Sequence, residues 1–467
     1  MLSFTRIIAI LGAGLVFAGP SWAQDADSQS ADGELRIDEV LEQVESRGQR
    51  PAPIRARNGG PLQISGMQVA GTSPVTSGTA FNPAISVILD TVFSRQFSGE
   101  ALEPAGFGGD HSHSHDHSHG EGGGHSHGIE EGFQVREVEL VFSGSVDPFF
   151  DLLIQAVVFD GGVELEEGFV TTTALPAGLQ IKGGKFRSDI GYINRQHTHD
   201  WDFTDQPLVV ENMFGDEGLT ELGAQLSWVA PTDTYTRLGV EVLAGDNPGV
   251  STQSEEAEAL GLETSSEPRL FTAFAKFGPD LGYDHALLAG LSGGFSDVWQ
   301  SVAESGDEAL DGSAWFVGAD AVYKYDSGKP FGQGDWVVQG EYFYRERNLD
   351  YIQNGSIART GKFRQDGFYA QTLYGFQPRW NAGLRYEALG LTNETFFDGL
   401  NEEAGTTYRY AGQISFLPTE FSRLRFQLSH TEPGDAPHGD HIDRHDGFWR
   451  ADLQFTFSLG VHGAHDF

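Results

Sequence analysis

Cysteine is absent from the 467 residues. The fold therefore cannot rest on disulfides, and thiolate metal sites and cysteine nucleophiles are excluded. Basic residues are scarce: 29 Lys and Arg stand against 67 Asp and Glu, a formal net charge of −38. That field disfavours nucleic acid and phosphate as partners and concentrates cations at the surface, although acidic loops that only solvate a membrane protein would give the same balance. Long apolar runs are missing beyond the amino terminus. No later segment holds the roughly 18 consecutive apolar residues of a membrane helix. There is also no G-x-S-x-G, no H-E-x-x-H and no phosphate loop, so the sequence indicates no enzyme.

What the chain does have is alternation. Phe467, Val461, Leu459, Phe457, Phe455 and Leu453 share one parity, while Asp452, Gln454, Thr456 and Ser458 take the other. Period two places these sets on opposite faces of a strand. Apolar outside and polar inside is the pattern of a transmembrane strand in a bacterial outer membrane, and a terminal aromatic is similar to the assembly signal of such proteins. Glycine at 61 residues and aromatics at 12% suit tight turns and aromatic girdles. The amino terminus agrees: Arg6, an apolar run from Ile7 to Ala18, and Ser21-Trp22-Ala23 form a secretory signal expected over 1–23.

Residues 24–75 are expected to be a periplasmic segment. Within it, Ile37, Val40, Leu41 and Val44 predict a short amphipathic helix over 34–47, ended by Gly48, Pro51 and Pro53. Residues 76–467 read as an all-β transmembrane antiparallel barrel. Pro- and Gly-rich turns fall at 147–148, 175–178, 230–232, 278–280, 328–330, 377–378 and 417–418. Longer connections fall near 98–133, 160–164, 191–219, 245–267, 300–313, 352–365, 395–405 and 431–446. Together they separate about 16 strands, within a range of about 14–18. The short turns are then periplasmic and the long loops extracellular.

The loops carry the candidate chemistry. His111, His113, His115, His117, His119, His125 and His127 crowd the first, among small residues and glycines. Neutral imidazole is the commonest ligand for Zn(II), Cu(II) and Ni(II), and so flexible a tract would hold several ions loosely. An incidental, solvated histidine loop is the plain alternative. The last loop offers His430, His438, His441 and His445 among aspartates, and barrel closure places it beside the first. The third loop holds His197, His199, Asp200, Asp202 and Asp205 around Trp201 and Phe203. It is too aromatic to sit free in solvent. It is expected to enter the lumen, where those five residues would form a cation-selective constriction. Packing by Trp201 and Phe203, with the polar groups satisfying one another, is the competing reading. His462 and His465 would face the periplasmic mouth.

Two blocks carry a family resemblance. They are Gly178-Leu179-Gln180-Ile181-Lys182-Gly183-Gly184-Lys185-Phe186 and Gly191-Tyr192-Ile193-Asn194 with His197-x-His199-x-Trp201-Asp202-Phe203-x-Asp205-x-Pro207-Leu208. With the histidine-rich first loop and the ending Gly460 to Phe467, they resemble proteobacterial zinc-regulated TonB-dependent outer-membrane receptors over about residues 80–467. The Gly-Lys-Phe strand and long third loop also resemble phosphate-selective porins, which implies a sixteen-stranded homotrimeric barrel. The roughly fifty residues ahead of the barrel are too few for the folded plug of a receptor with about 22 strands, which leaves a porin-like channel with energy coupling open. The expected function is an outer-membrane channel or receptor for zinc or another divalent metal. It would capture the ion at the histidine loops and pass it through an acidic pore. A general or anion-selective porin is one alternative. A surface metal buffer with a plugged barrel is the other. The expected partners are outer-membrane lipid and metal ions, with no organic cofactor.

Overall fold

The computed structural model describes residues 83–99, 104–107, 129–159, 162–254, 256–262, 264–303, 308–353, 356–397, 400–438, 441–443 and 446–460. The expected signal, the amino-terminal helix, His111 to His127, His445, His462, His465 and Phe467 lie outside them.

Among the described residues, sixteen strands form one antiparallel wall. They are β1 (Ala84–Ser98), β2 (Gly132–Asp147), β3 (Phe150–Phe159), β4 (Gly162–Thr172), β5 (Leu179–Arg187), β6 (Thr220–Val229), β7 (Tyr235–Leu243) and β8 (Leu270–Gly278). There follow β9 (His285–Val302), β10 (Glu308–Tyr325), β11 (Trp336–Gln353), β12 (Ser356–Gln377), β13 (Trp380–Phe397), β14 (Thr407–Thr419), β15 (Ser422–Glu432) and β16 (Phe448–Gly460). Each strand pairs with its sequence neighbours, and β1 pairs with β16, from Ser86↔Gly460 to Ser98↔Trp449. The barrel is therefore closed and has no free edge, as a sheet in lipid requires. A short strand, Leu400–Glu403, folds back on β13 alone.

The alternation read from the sequence holds in β16. Asp452 and Gln454 are fully buried inside, while Phe457 and Leu459 are 50% and 74% exposed outside. The same apolar outer face runs through Leu222 and Leu226, Val240 and Val242, Leu291 and Phe295. Aromatics ring the end that carries the short turns, with Trp380 stacked on Phe416 at 4.6 Å and Trp336 and Phe376 nearby in the same belt. This is a bacterial outer-membrane barrel. The expected short turns fall at strand ends on one side, except that Leu417 and Pro418 lie inside β14 just ahead of its turn, and the long connections fall at the other.

Two expected loops shrink. Residues 300–313 and 352–365 are largely strand, because β9 to β12 run far beyond ten residues; β12 alone has 22. Apolar side chains account for the extension. Trp299, Ala314 and Leu349 bury together against Leu310 and Phe363, and Arg347 lies 4.8 Å over the Trp299 ring. A ladder with its own small core gains enough burial to outlast its loop.

The third connection, 188–219, lies inside the wall. It carries α1 (Leu208–Phe214), seven residues between Pro207 and the positive-φ Gly215. Two valines in so short a helix are poor formers, so packing holds it. Phe214 meets Phe316 and Phe343 edge-on, each at 5.1 Å. Ile190, Ile193, Trp201, Val209, Val210 and Met213 complete an apolar core within the lumen, joined by Phe107 of the first connection.

A buried loop must place its backbone polar groups. Here the inward-facing wall supplies partners. Arg136 donates to the Thr204 carbonyl at 2.5 Å, Arg425 to that of Trp201 at 2.7 Å, Arg385 to that of Asp205 at 2.9 Å and Arg409 to that of Gln206 at 2.5 Å. Glu341 accepts from the Tyr192 and Ile193 amides at 2.8 and 2.9 Å, and Glu387 accepts from Leu208 at the start of α1 at 2.6 Å. Gly191 has φ +58, and a Cβ there would collide with Glu341 and Phe343. That close approach explains the glycine.

Candidate metal centre

Strict alternation cannot bring consecutive residues to one face, yet two strands do so here. β2 slips register between Asp90↔Glu137 and Thr91↔Val135, so Arg136 is an extra residue. β4 slips between Gln155↔Glu167 and Ala156↔Leu165, so Glu166 is extra. These bulges bury Arg136 with Glu137, and Glu166 with Glu167, on the lumen side. Glu139 follows Glu137 at the ordinary spacing of two and is 1% exposed.

The third connection lowers its His-x-His onto this acidic wall. His197 is extended and caps a single turn, Thr198–Asp200, that contains His199. The two rings come out nearly parallel, at 14°, with centres 6.0 Å apart. His197 Nδ1 lies 3.2 Å from Glu166 Oε2 and 3.9 Å from Glu139 Oε2, and its Nε2 lies 2.9 Å from Glu167 Oε2. His199 Nδ1 lies 3.1 Å from Glu139 Oε2 and 3.6 Å from Glu137 Oε1, and its Nε2 lies 3.4 Å from Asp200 Oδ1. In each of two sets, Glu137–Glu139–His199 and Glu139–Glu166–His197, the ligand atoms lie within 4.8 Å of one another.

Those spacings suit a small divalent ion. Zn–N and Zn–O bonds of about 2.0–2.1 Å put neighbouring tetrahedral ligands about 3.3 Å apart. Mixed imidazole and carboxylate favours zinc-like ions over calcium or magnesium. Gln155 now fills the gap: its amide nitrogen is 2.7 Å from His197 Nδ1 and 3.4 Å from Glu166 Oε2. Both histidines belong to a connection, not to a spanning strand. Burial and Arg187 lower the His197 pKa, but Glu166, Glu167 and Glu139 outweigh them and raise it to about 10. Burial likewise opposes His199, and Asp200, Glu139 and Glu137 raise it well above the usual range. The Gln155 contact describes the other protonation state, a neutral ring with Nε2–H toward Glu167. Neutral imidazole is the form that serves as a metal ligand.

The five expected constriction residues therefore part company. His197 and His199 meet the wall acids, with Asp200 at the outer side of His199. Asp202 instead accepts from Gln371 at 3.1 Å. Asp205 sits across the lumen among arginines: Arg385 at 2.5 Å, Arg450 at 2.6 Å and Arg409 at 3.1 Å. Burial alone would raise its pKa, and these arginines hold it well below the carboxylate range. Next to it is a polar cavity of about 50 Å³ between Arg136, Trp201, Glu211 and Arg450, room for a water or two.

The last-loop histidines are spread out. His430 lies in β15, not in the loop, with its ring 4.6 Å from Trp449 on the outer face. Strand parity puts it there, opposite to inward Ser429 and Thr431. His438 and His441 are backbone partners in a small antiparallel pair, 436–438 with 441–443. Glu137, Glu139, Glu166 and Glu167 were missing from the sequence reading. The Glu-x-Glu of β2, two acids at strand spacing on a lumen face, was a usable signal. The consecutive pair in β4 was not, because only the bulge aligns it.

No family model matches this chain. An uncharacterized protein of Aquifex aeolicus (strain VF5) is 34% identical over 355 residues, 72% of this chain and 71% of its own. The chain belongs to the family of that Aquifex protein. Among solved structures, the outer membrane channel DcaP of Acinetobacter baumannii is 13% identical, covering 81% of this chain and 97% of its own, at a TM-score of 0.47. OmpT, an outer membrane protein of Vibrio cholerae solved in a trimer form, is 9% identical over 81% of this chain and 99% of its own, at 0.45. OprB of Pseudomonas putida is 11% identical over 81% and 94%, at 0.42.

Proposed function

We propose that this porin-like outer-membrane barrel is a channel for divalent metal ions, zinc foremost, and not an enzyme. The ion it carries would dwell at His197 and His199 on its way through the lumen. One observation carries the reading: two buried histidines of a lumen loop stand at ligand spacing from Glu137, Glu139 and Glu166 of the wall. The histidines of 111–127 would gather ions outside, as in the zinc-regulated receptors that the sequence resembles. The direct test is zinc flux into liposomes holding the purified barrel, against the double variant His197→Ala, His199→Ala and a 111–127 deletion. Loss of zinc flux in the double variant, with the fold intact by circular dichroism, is the expected result. Equal flux in all three would leave a general porin with incidental histidines.

A second reading has an observation of its own. The third connection packs an apolar core inside the lumen. A barrel that never opens would bind zinc without conducting it, as a surface buffer. Bilayer conductance separates the two, since a channel must show open events. A homotrimer follows from the resemblance to phosphate-selective porins, and cross-linking in intact membranes tests it.

A further inference from the structure

We propose that the lumen centre is dinuclear, with two divalent ions held at once and bridged by the Glu139 carboxylate. The proposal rests on the metal-channel reading above and specifies what that site holds. Each of the two ligand sets contains one histidine, and Glu139 belongs to both. Its Oε2 stands 3.1 Å from Nδ1 of His199 and 3.9 Å from Nδ1 of His197. Glu139 is 1% exposed, and its Oε2 faces both rings. A carboxylate so placed has two lone-pair directions to give, one toward each side.

The second nitrogen of each ring points the same way. His197 Nε2 meets Glu167 and His199 Nε2 meets Asp200. A carboxylate behind a ligand histidine fixes its tautomer and turns the other nitrogen toward the metal. Here both second nitrogens are taken, so His199 Nδ1 faces Glu139, and His197 Nδ1 faces Glu166 and Glu139, with Gln155 at the place an ion would take. One ion could not take both rings easily: it would need the two nitrogens within about 4.2 Å, twice a Zn–N bond. Near-parallel rings with centres 6.0 Å apart favour one ion each. Bridged pairs in two-metal sites lie about 3.5–4 Å apart, a separation that one shared carboxylate spans.

Five carboxyls, Glu137, Glu139, Glu166, Glu167 and Asp200, crowd the two rings, a density that bound divalent ions relieve. The nearby Arg187 directs its guanidinium to the Glu217 carbonyl, 2.8 Å away, and does not occupy the gap. Buried charge is held stably only when it is paired.

The test is anomalous scattering at the zinc edge from crystals of the full chain soaked in zinc chloride. Two lumen peaks astride Glu139 are expected. His199→Ala should lose the peak beside Glu137 and keep the one beside Glu166, and His197→Ala should do the reverse. Glu139→Gln, which keeps shape and burial, should weaken both sites at least tenfold in zinc titrations. A single peak lost in either histidine variant would overturn the dinuclear proposal and leave the metal-channel reading standing. No lumen peak, with zinc bound only at the outer loops, would overturn both.

Discussion

Asp205 is the group most exposed to a single change. Three guanidiniums pair with three carboxylates around it. Arg385 and Arg409 share Asp205 and Glu387, and Arg450 bridges Asp205 and Asp452. The set is neutral as built. Asp205→Asn keeps the shape and one acceptor but leaves a net positive charge in a buried cluster. Breaking a buried pair from one side costs about 3–5 kcal/mol, because the remaining charge stays desolvated. The cost falls on the docked third connection, since Asp205 is the only one of these six residues that belongs to it. A loss of about 3–5 kcal/mol moves the docked-to-released ratio by about 10²–10³ or more. The assay is single-channel recording in planar bilayers, with trypsin sensitivity of the loop as an independent readout. Wild type should be closed with rare openings, and Asp205→Asn should open at least a hundredfold more often. Adding Arg450→Gln should restore part of the closed time, because it removes the uncompensated charge. An Asp205→Asn barrel that gates and resists protease as wild type does would refute the role of Asp205 in holding the third connection docked.

Two further outcomes are expected. Glu167→Gln should weaken zinc binding about 10–100-fold by loosening the tautomer of His197, without changing how many ions bind; calorimetric titration that loses a whole ion would make Glu167 a ligand. Glu211 of α1 has its pKa raised from 4.5 to about 7, through burial first and Asp216 next. A carboxyl raised on folding stabilises docking fully below its unfolded pKa, and that contribution fades as pH rises through about 7. That rise is worth about 3 kcal/mol before the water-sized cavity screens it. Open events should therefore grow from about pH 4.5 to 7 in wild type and not in Glu211→Gln, where a parallel rise would exclude Glu211.

The wall was legible because lipid and lumen impose strict period-two alternation, and because proline and glycine mark its short turns. Leu453, Phe455 and Phe457 against Asp452, Gln454 and Thr456 needed no more than that. Strand length was not legible at the outer end, since Trp299 and Leu349 bury with Ala314, Leu310 and Phe363 only across the ladder. The histidine half of the centre was visible as His197-x-His199 in an aromatic loop. Of its acidic half only Glu137-x-Glu139 carried a signal, since Glu166 joins Glu167 through a bulge that no local pattern announces. Asp205 was legible as a charge but not as a partner for arginines that lie about two hundred residues away in sequence.

The third connection thus bridges two unlike walls. Its histidines rest on the acids of β2 and β4, and its Asp205 rests on the arginines of β13, β14 and β16. An ion held by His197, Glu139 and Glu166 ties loop to wall, so it binds the docked state and not the released one. By mass action such a ligand stabilises docking by about 2.7 kcal/mol at a hundred times its Kd, a hundredfold drop in released population. Zinc should then lower the open probability of its own channel. Zinc flux would be self-limiting, levelling off as zinc rises past its Kd. Read as potassium current, the inhibition should vanish in His197→Ala, together with the zinc flux that needs the site, while Asp205→Asn, which acts at the opposite wall, should keep it on a raised baseline. Current that rises with zinc would mean that the ligand set assembles in the open barrel. The docked geometry would then be the state that zinc leaves.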